Sequence, residues 1–103
     1  MKILLFVSSK CSHCPEAERI AKQVLLEYHN HSISFEKVRV RTSEGKNLAL
    51  KYNVMSLPSM LLLDDEGNET KRIVGTPKQD SLKNDIEKQL GLKKSFFSNL
   101  FGK

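Results

Sequence analysis

Cys11 and Cys14 are the only cysteines among 103 residues, and Ser12 and His13 separate them. Thiols at this spacing close and open a disulfide, or they grip a metal ion. For redox work one sulfur must be a thiolate, because the thiolate is the nucleophile. Cys11 falls where an apolar run, Ile3 to Val7, gives way to a helical pattern. That places it at or just before a helix N-terminus, where unpaired N–H groups and the helix dipole stabilise negative charge. A protonated His13 adds to this, and Lys10 adds less. Such settings bring a cysteine pKa from ~8.5 into the range ~3.5–7.5. Cys14, one turn inward, is expected to be less exposed and to stay protonated until needed. Cys11 would then attack a substrate disulfide, and Cys14 would resolve the mixed disulfide.

These side chains need a rigid frame. Ile3 to Val7 suits a central strand covered on both faces. From Pro15, a good first-turn residue, Ala17, Ile20, Ala21, Val24, Leu25 and Tyr28 recur at helical spacing, and the pattern fades at His29 to Ser32. Ile33 to Val40 predicts a second strand. Its apolar parity switches between Ile33/Phe35 and Val38/Val40, so a bulge or a start at Phe35 is expected. Thr42 to Gly45 reads as a break before a short helix through Leu48, Ala49 and Tyr52 that ends near Asn53. Leu57-Pro58-Ser59 runs into a third strand, Met60 to Leu63. Asp64 to Asn68 predicts a hairpin to an antiparallel fourth strand over Thr70 to Val74. A last helix is expected with Thr76 as cap, Pro77 in its first position and Gln79 completing a capping box; Gly91 would stop it. The order is β-α-β-α-β-β-α, an α/β fold class with a four-stranded mixed sheet flanked by helices. One domain accounts for residues 1–91, and 92–103 reads as an amphipathic basic C-terminal extension.

Composition narrows the function classes. Hydrophobic residues at 39% and charged residues at 28% describe an ordinary globular domain. The net charge of +5 favours acidic partners, but no basic block is interleaved with stacking aromatics, so nucleic acid is not expected. The apolar run after Met1-Lys2 is too short for a secretory core of roughly 7–15 residues, and no window approaches the ~20 apolar residues of a membrane span. The expected location is cytoplasmic, where a close cysteine pair is redox-active or metal-binding rather than a staple. A monomer is expected. Leu92, Phe96, Phe97, Leu100 and Phe101 share one helical face of the tail, too weak a pattern for membrane attachment.

With these elements in place, the chain resembles the thioredoxin superfamily in its minimal form. Cys11-Ser12-His13-Cys14 is similar to the family's redox motif, and Leu57-Pro58-Ser59 to its cis-proline loop. Lys51-Tyr52-Asn53-Val54, Gly67 and Val74-Gly75 also fit, and the resemblance covers residues 2 to about 90. It implies a cis Leu57–Pro58 bond facing the cysteines, with Leu57, Pro58 and Ser59 binding an extended substrate segment. Cys11, Cys14 and His13 would be the catalytic residues. The resemblance implies no cofactor beyond the redox-active pair, and no metal. The implied partners are disulfide-containing proteins or small thiols, and a reductase. Several positions depart from the pattern: Lys10 replaces a tryptophan, Ser12-His13 replaces Gly-Pro, and Leu5 replaces a buried acid. The Pro-Tyr of glutaredoxins is absent too. A histidine before the second cysteine is the pattern of more oxidising relatives. A histidinium that stabilises the Cys11 thiolate stabilises the reduced form, so a potential above thioredoxin's, about −270 mV, is expected.

Two alternatives stay open. A metal-binding, copper chaperone-like module also places a CxxC between strand and helix, but Ser9 stands where its methionine would be, and the Leu57-Pro58-Ser59 loop has no purpose there. The other is a redox-inactive interaction domain on the same fold, working through its tail. His29 and His31 lie at the far end of a helix about 20 Å long and cannot share a metal with the cysteines. Arg39 and Arg41 read as a solvated or edge face, with the anchoring of an acidic partner or cofactor as the lesser alternative.

Overall fold

Burial on both faces of two apolar runs builds the centre of the sheet. The computed structural model describes residues 1–92, so the expectation for the 92–103 extension lies, apart from Leu92, outside the described residues. Strand β1 is Lys2–Val7, helix α1 Cys14–Leu25 (prolonged by a 3-10 turn, Leu26–Tyr28), β2 Ser34–Arg39, α2 Ser43–Lys51, β3 Ser59–Leu63, β4 Glu69–Val74 and α3 Gln79–Leu90. The sheet order is β2-β1-β3-β4; β1 runs parallel to β2 and antiparallel to β3, which pairs antiparallel with β4. Alternate residues point to opposite faces. Ile3, Leu5 and Val7 therefore join Met60 and Leu62 against α1 and α3, while Leu4 and Phe6 join Leu61 and Leu63 against α2. No helix among the described residues is long and apolar enough to cross a membrane.

Strand β2 contains no bulge. Its register with β1 is continuous from Lys2↔Ser34 to Val7↔Arg39. The parity switch is instead a change in what covers each face. Phe35 packs into the α1 side, and Val38 and Val40 into the α2 side. Lys37 and Arg39, paired with Leu5 and Val7, lie on the α1 face, toward the N-terminal half of α1 that carries Glu18. Lys37 there meets Glu18 at 3.2 Å.

Two helix starts differ from expectation. Thr42 to Gly45 is a cap rather than a break: the Thr42 hydroxyl donates to the Arg39 carbonyl (2.8 Å) and accepts the Gly45 N–H (2.9 Å). Gly45 is required because a Cβ there would lie 1.8 Å from the Arg39 carbonyl oxygen. The last helix starts at Gln79 with an extended Lys78 as cap and no side-chain capping bond, so the Thr76–Gln79 box does not form. Pro77 is buried, and its packing keeps the chain extended past Thr76. The other end follows the sequence. Gly91, at φ 80°, closes α3 with the Leu92 N–H on the Glu87 carbonyl and its own N–H on that of Lys88.

Long-range polar ties hold the helices to this frame. Arg72 donates to the Asn53 carbonyl at 3.1 Å and to that of Tyr52, closing the end of α2, and Glu69 grips the same guanidinium at 2.6 and 2.8 Å. The Tyr28 hydroxyl donates to Glu87 at 2.5 Å, tying the end of the first helical segment to α3.

Candidate active site

The connection from β1 to α1 is a tight turn that delivers both sulfurs to one end of the sheet. The Cys11 N–H donates to the Ser8 carbonyl (3.1 Å), that of Lys10 to the Ser8 hydroxyl (3.2 Å), and that of Cys14 to the Cys11 carbonyl (3.3 Å). Cys11 and Cys14 are joined as a disulfide with their Cα atoms 5.4 Å apart. They are unequal in exposure. Cys14 is the first residue of α1 and 4% exposed, packed among Ala17, Leu5 and Val7, whereas Cys11 is only partly buried. His13 caps the helix by position, is exposed, and makes no side-chain capping bond.

Cys11 stands between two walls. On one side it shares an open cavity of about 450 Å³ with Lys10, Ser12, His13 and Leu57. The Leu57–Pro58 peptide bond is cis. Pro58 is fully buried with its carbonyl accepting the Gly75 N–H at 2.8 Å, and Ser59, 1% exposed, donates its hydroxyl to the Ser56 carbonyl at 2.6 Å. Of the three loop residues, only Leu57 borders the cavity with Cys11; the Ser59 hydroxyl is committed to the loop itself.

On the other side a groove of about 380 Å³ is lined by Cys11, Cys14 and Glu18 and, from β2 and the segment after it, by Lys37, Arg39 and Arg41. Neither Glu18 nor Lys37 belongs to a motif that the sequence singles out. The available signal was spacing: Glu18 is four residues after Cys14 and shares its helix face. Its carboxylate bridges Lys22 (2.9 Å) and Lys37 (3.2 Å). The Lys22 hydrogen bond, with Lys37 adding to it against the opposing effect of burial, holds Glu18 below the usual carboxylate range. Leu5, where thioredoxins carry a buried acid, is fully buried and apolar. Glu18 is the carboxylate that the groove offers in its place. Arg39 and Arg41, read as an edge face, are indeed exposed, yet both line this groove.

A family model, Thioredoxin, matches residues 1–88. The chain belongs to the thioredoxin family. It is 30% identical over 90 residues to a thioredoxin of Methanocaldococcus jannaschii, covering 87% of this chain and 96% of that protein. It is 35% identical over 89 residues to an H-type thioredoxin of Oryza sativa, covering 86% of this chain and 68% of the other. The structure superposes on thioredoxin 1 of Thermosipho africanus with a TM-score of 0.74 at 26% identity, over 91% of this chain and 99% of that one. With a cysteine pair at disulfide distance on this frame, the thioredoxin-family chain is a thiol–disulfide oxidoreductase.

Proposed function

We propose that Cys11 is the attacking thiol and Cys14 the resolving one. The observation that carries this is the difference in exposure: Cys11 faces open cavities on two sides, and Cys14 is 4% exposed beneath it. The Cys11 thiolate attacks one sulfur of a substrate disulfide, forming Cys11–S–S–substrate and expelling the other substrate sulfur as a thiolate. Cys14 then loses its proton and attacks the Cys11 sulfur. The second substrate thiolate leaves, and the Cys11–Cys14 disulfide remains. A reductase or dithiol donor returns the two electrons, and no further cofactor takes part. The Leu57 backbone, which makes no hydrogen bond to another described residue, is positioned to pair with an extended substrate segment. The protein works on disulfide-containing proteins in the cytoplasm.

A Cys14→Ser variant is expected to hold mixed disulfides on Cys11. Trapping predominantly on Cys14 in the reciprocal Cys11→Ser variant would reverse the assignment. His13, beside Cys11 and exposed, favours the thiolate of the reduced state when protonated. The potential is therefore expected above the value of about −270 mV for thioredoxin. A redox titration at or below that value would remove His13 from the mechanism.

A further inference from the structure

Charge in the groove beside the sulfurs bears on which disulfides the pair accepts. Lys2, Arg19, Lys22, Lys37, Arg72 and Lys83 each meet a carboxylate. Arg39 and Arg41 meet none among the described residues. Glu18, the carboxylate of the same groove, is taken by Lys22 and Lys37 and leaves both guanidinium groups uncompensated. Unpaired surface cations are common. These two differ in lining, together, the groove that contains both Cys11 and Cys14.

Their backbone is also fixed. The Val40 N–H donates to the Val7 carbonyl (3.0 Å), and the Thr42 N–H to that of Arg39 (3.1 Å). Gly45 closes the corner so tightly that no side chain fits. The bases of both arginines are thus held while their charged ends stay free. Such guanidinium groups take carboxylates with paired, charge-assisted hydrogen bonds. A groove of about 380 Å³ has room for one or two acidic side chains next to a disulfide, and lies near the lower end of the range for small-molecule sites.

We infer that the Arg39–Arg41 wall selects protein substrates whose disulfide is flanked by aspartate or glutamate. The inference rests on the exchange chemistry proposed for Cys11. Its test uses three disulfide-bridged peptides that differ only in Asp, Ala or Lys residues beside one cysteine, reduced by the dithiol form of the full chain. The Asp peptide is expected to be reduced about tenfold faster than the Ala peptide at low salt. The ratio should shrink toward one near 1 M salt, where screening acts within ~3 Å. Arg39→Ala/Arg41→Ala should collapse the ratio, and Arg41→Glu should shift preference toward the Lys peptide. Lys88→Ala, an exposed cation on α3, should leave the ratio unchanged. No acidic preference in the native protein, or a preference that survives the double substitution, overturns the inference while leaving exchange at Cys11 intact. Failure to reduce even the Ala peptide overturns the exchange reading and this inference with it. A small carboxylate-bearing disulfide reduced as fast as the Asp peptide would overturn the assignment to protein substrates.

Discussion

The two walls beside Cys11 are built on opposite principles. The Leu57 wall offers an unpaired backbone and an apolar side chain, held in place by bonds around it: Ser59 on Ser56, Gly75 on Pro58. The Arg39–Arg41 wall offers charge, and its guanidinium groups meet no carboxylate among the described residues. A backbone wall treats most extended substrates alike, whereas a cationic wall discriminates among them. General recognition and selectivity are therefore separable in this molecule, and substitutions can address each in turn.

The largest expected effect comes from the corner that supports the cationic wall. In Gly45→Ala the new methyl would lie 1.8 Å from the Arg39 carbonyl oxygen and 2.5 Å from its carbon. Both belong to backbone held by the Thr42 cap, so the first turn of α2 must shift. A loss of about 3 kcal/mol is expected, the upper end for overpacking. For a domain of this size that lowers Tm by roughly 12–24 °C. Thermal unfolding followed by circular dichroism measures it. Below the transition, the acidic-peptide preference should fall more than the rate on the Ala peptide. A loss under about 1 kcal/mol would show that the corner yields easily and that the arginines are not held.

A smaller effect is expected on the opposite wall. Ser59→Ala removes the donor to the Ser56 carbonyl from a site that is 1% exposed. One hydrogen bond of this kind is worth about 1 kcal/mol, and the carbonyl is left without its partner. Reduction of all three peptides should slow by the same factor, because the loop ahead of β3 loosens without any change in charge. A change in the ratio between the peptides would mean that the two walls are not independent.

The difference between the walls also explains what could be read from the residues alone. Leu57-Pro58-Ser59 followed by an apolar run, and a CxxC between strand and helix, are local patterns that survive without knowledge of pairing. The cationic wall is not local. It depends on the parallel register that sets Val7 beside Arg39, and on Glu18 of α1, which lets Lys37 lie inward against it. In the sequence this produced only a parity switch, which a bulge would have explained equally well. The Thr42 cap was legible in principle, since a threonine three residues before a helical N–H is a standard start. At the last helix a similar pattern misled, because burial of Pro77 outweighed a hydrogen bond worth about 1 kcal/mol.

Glu18 gives the smallest effect and connects stability to the groove's charge. Its carboxylate is held below the usual range, chiefly by Lys22 and then by Lys37. A carboxylate depressed on folding stabilises the native state above its unfolded value, about 4.5, and loses that contribution as pH falls through the lower folded value. Lys22 is 64% exposed, so solvent screens much of this, and Glu18→Gln should cost less than about 1 kcal/mol at pH 7. Unfolding of both proteins between pH 7 and pH about 2.5 should show that small gap closing in acid. A gap constant with pH would mean that the substitution acts through packing instead. The same change leaves Lys37 without its counter-charge in the groove, so the preference for the Asp peptide should rise even as stability falls. A selectivity gain and a stability loss from one substitution would show that Glu18 tempers the field which Arg39 and Arg41 create.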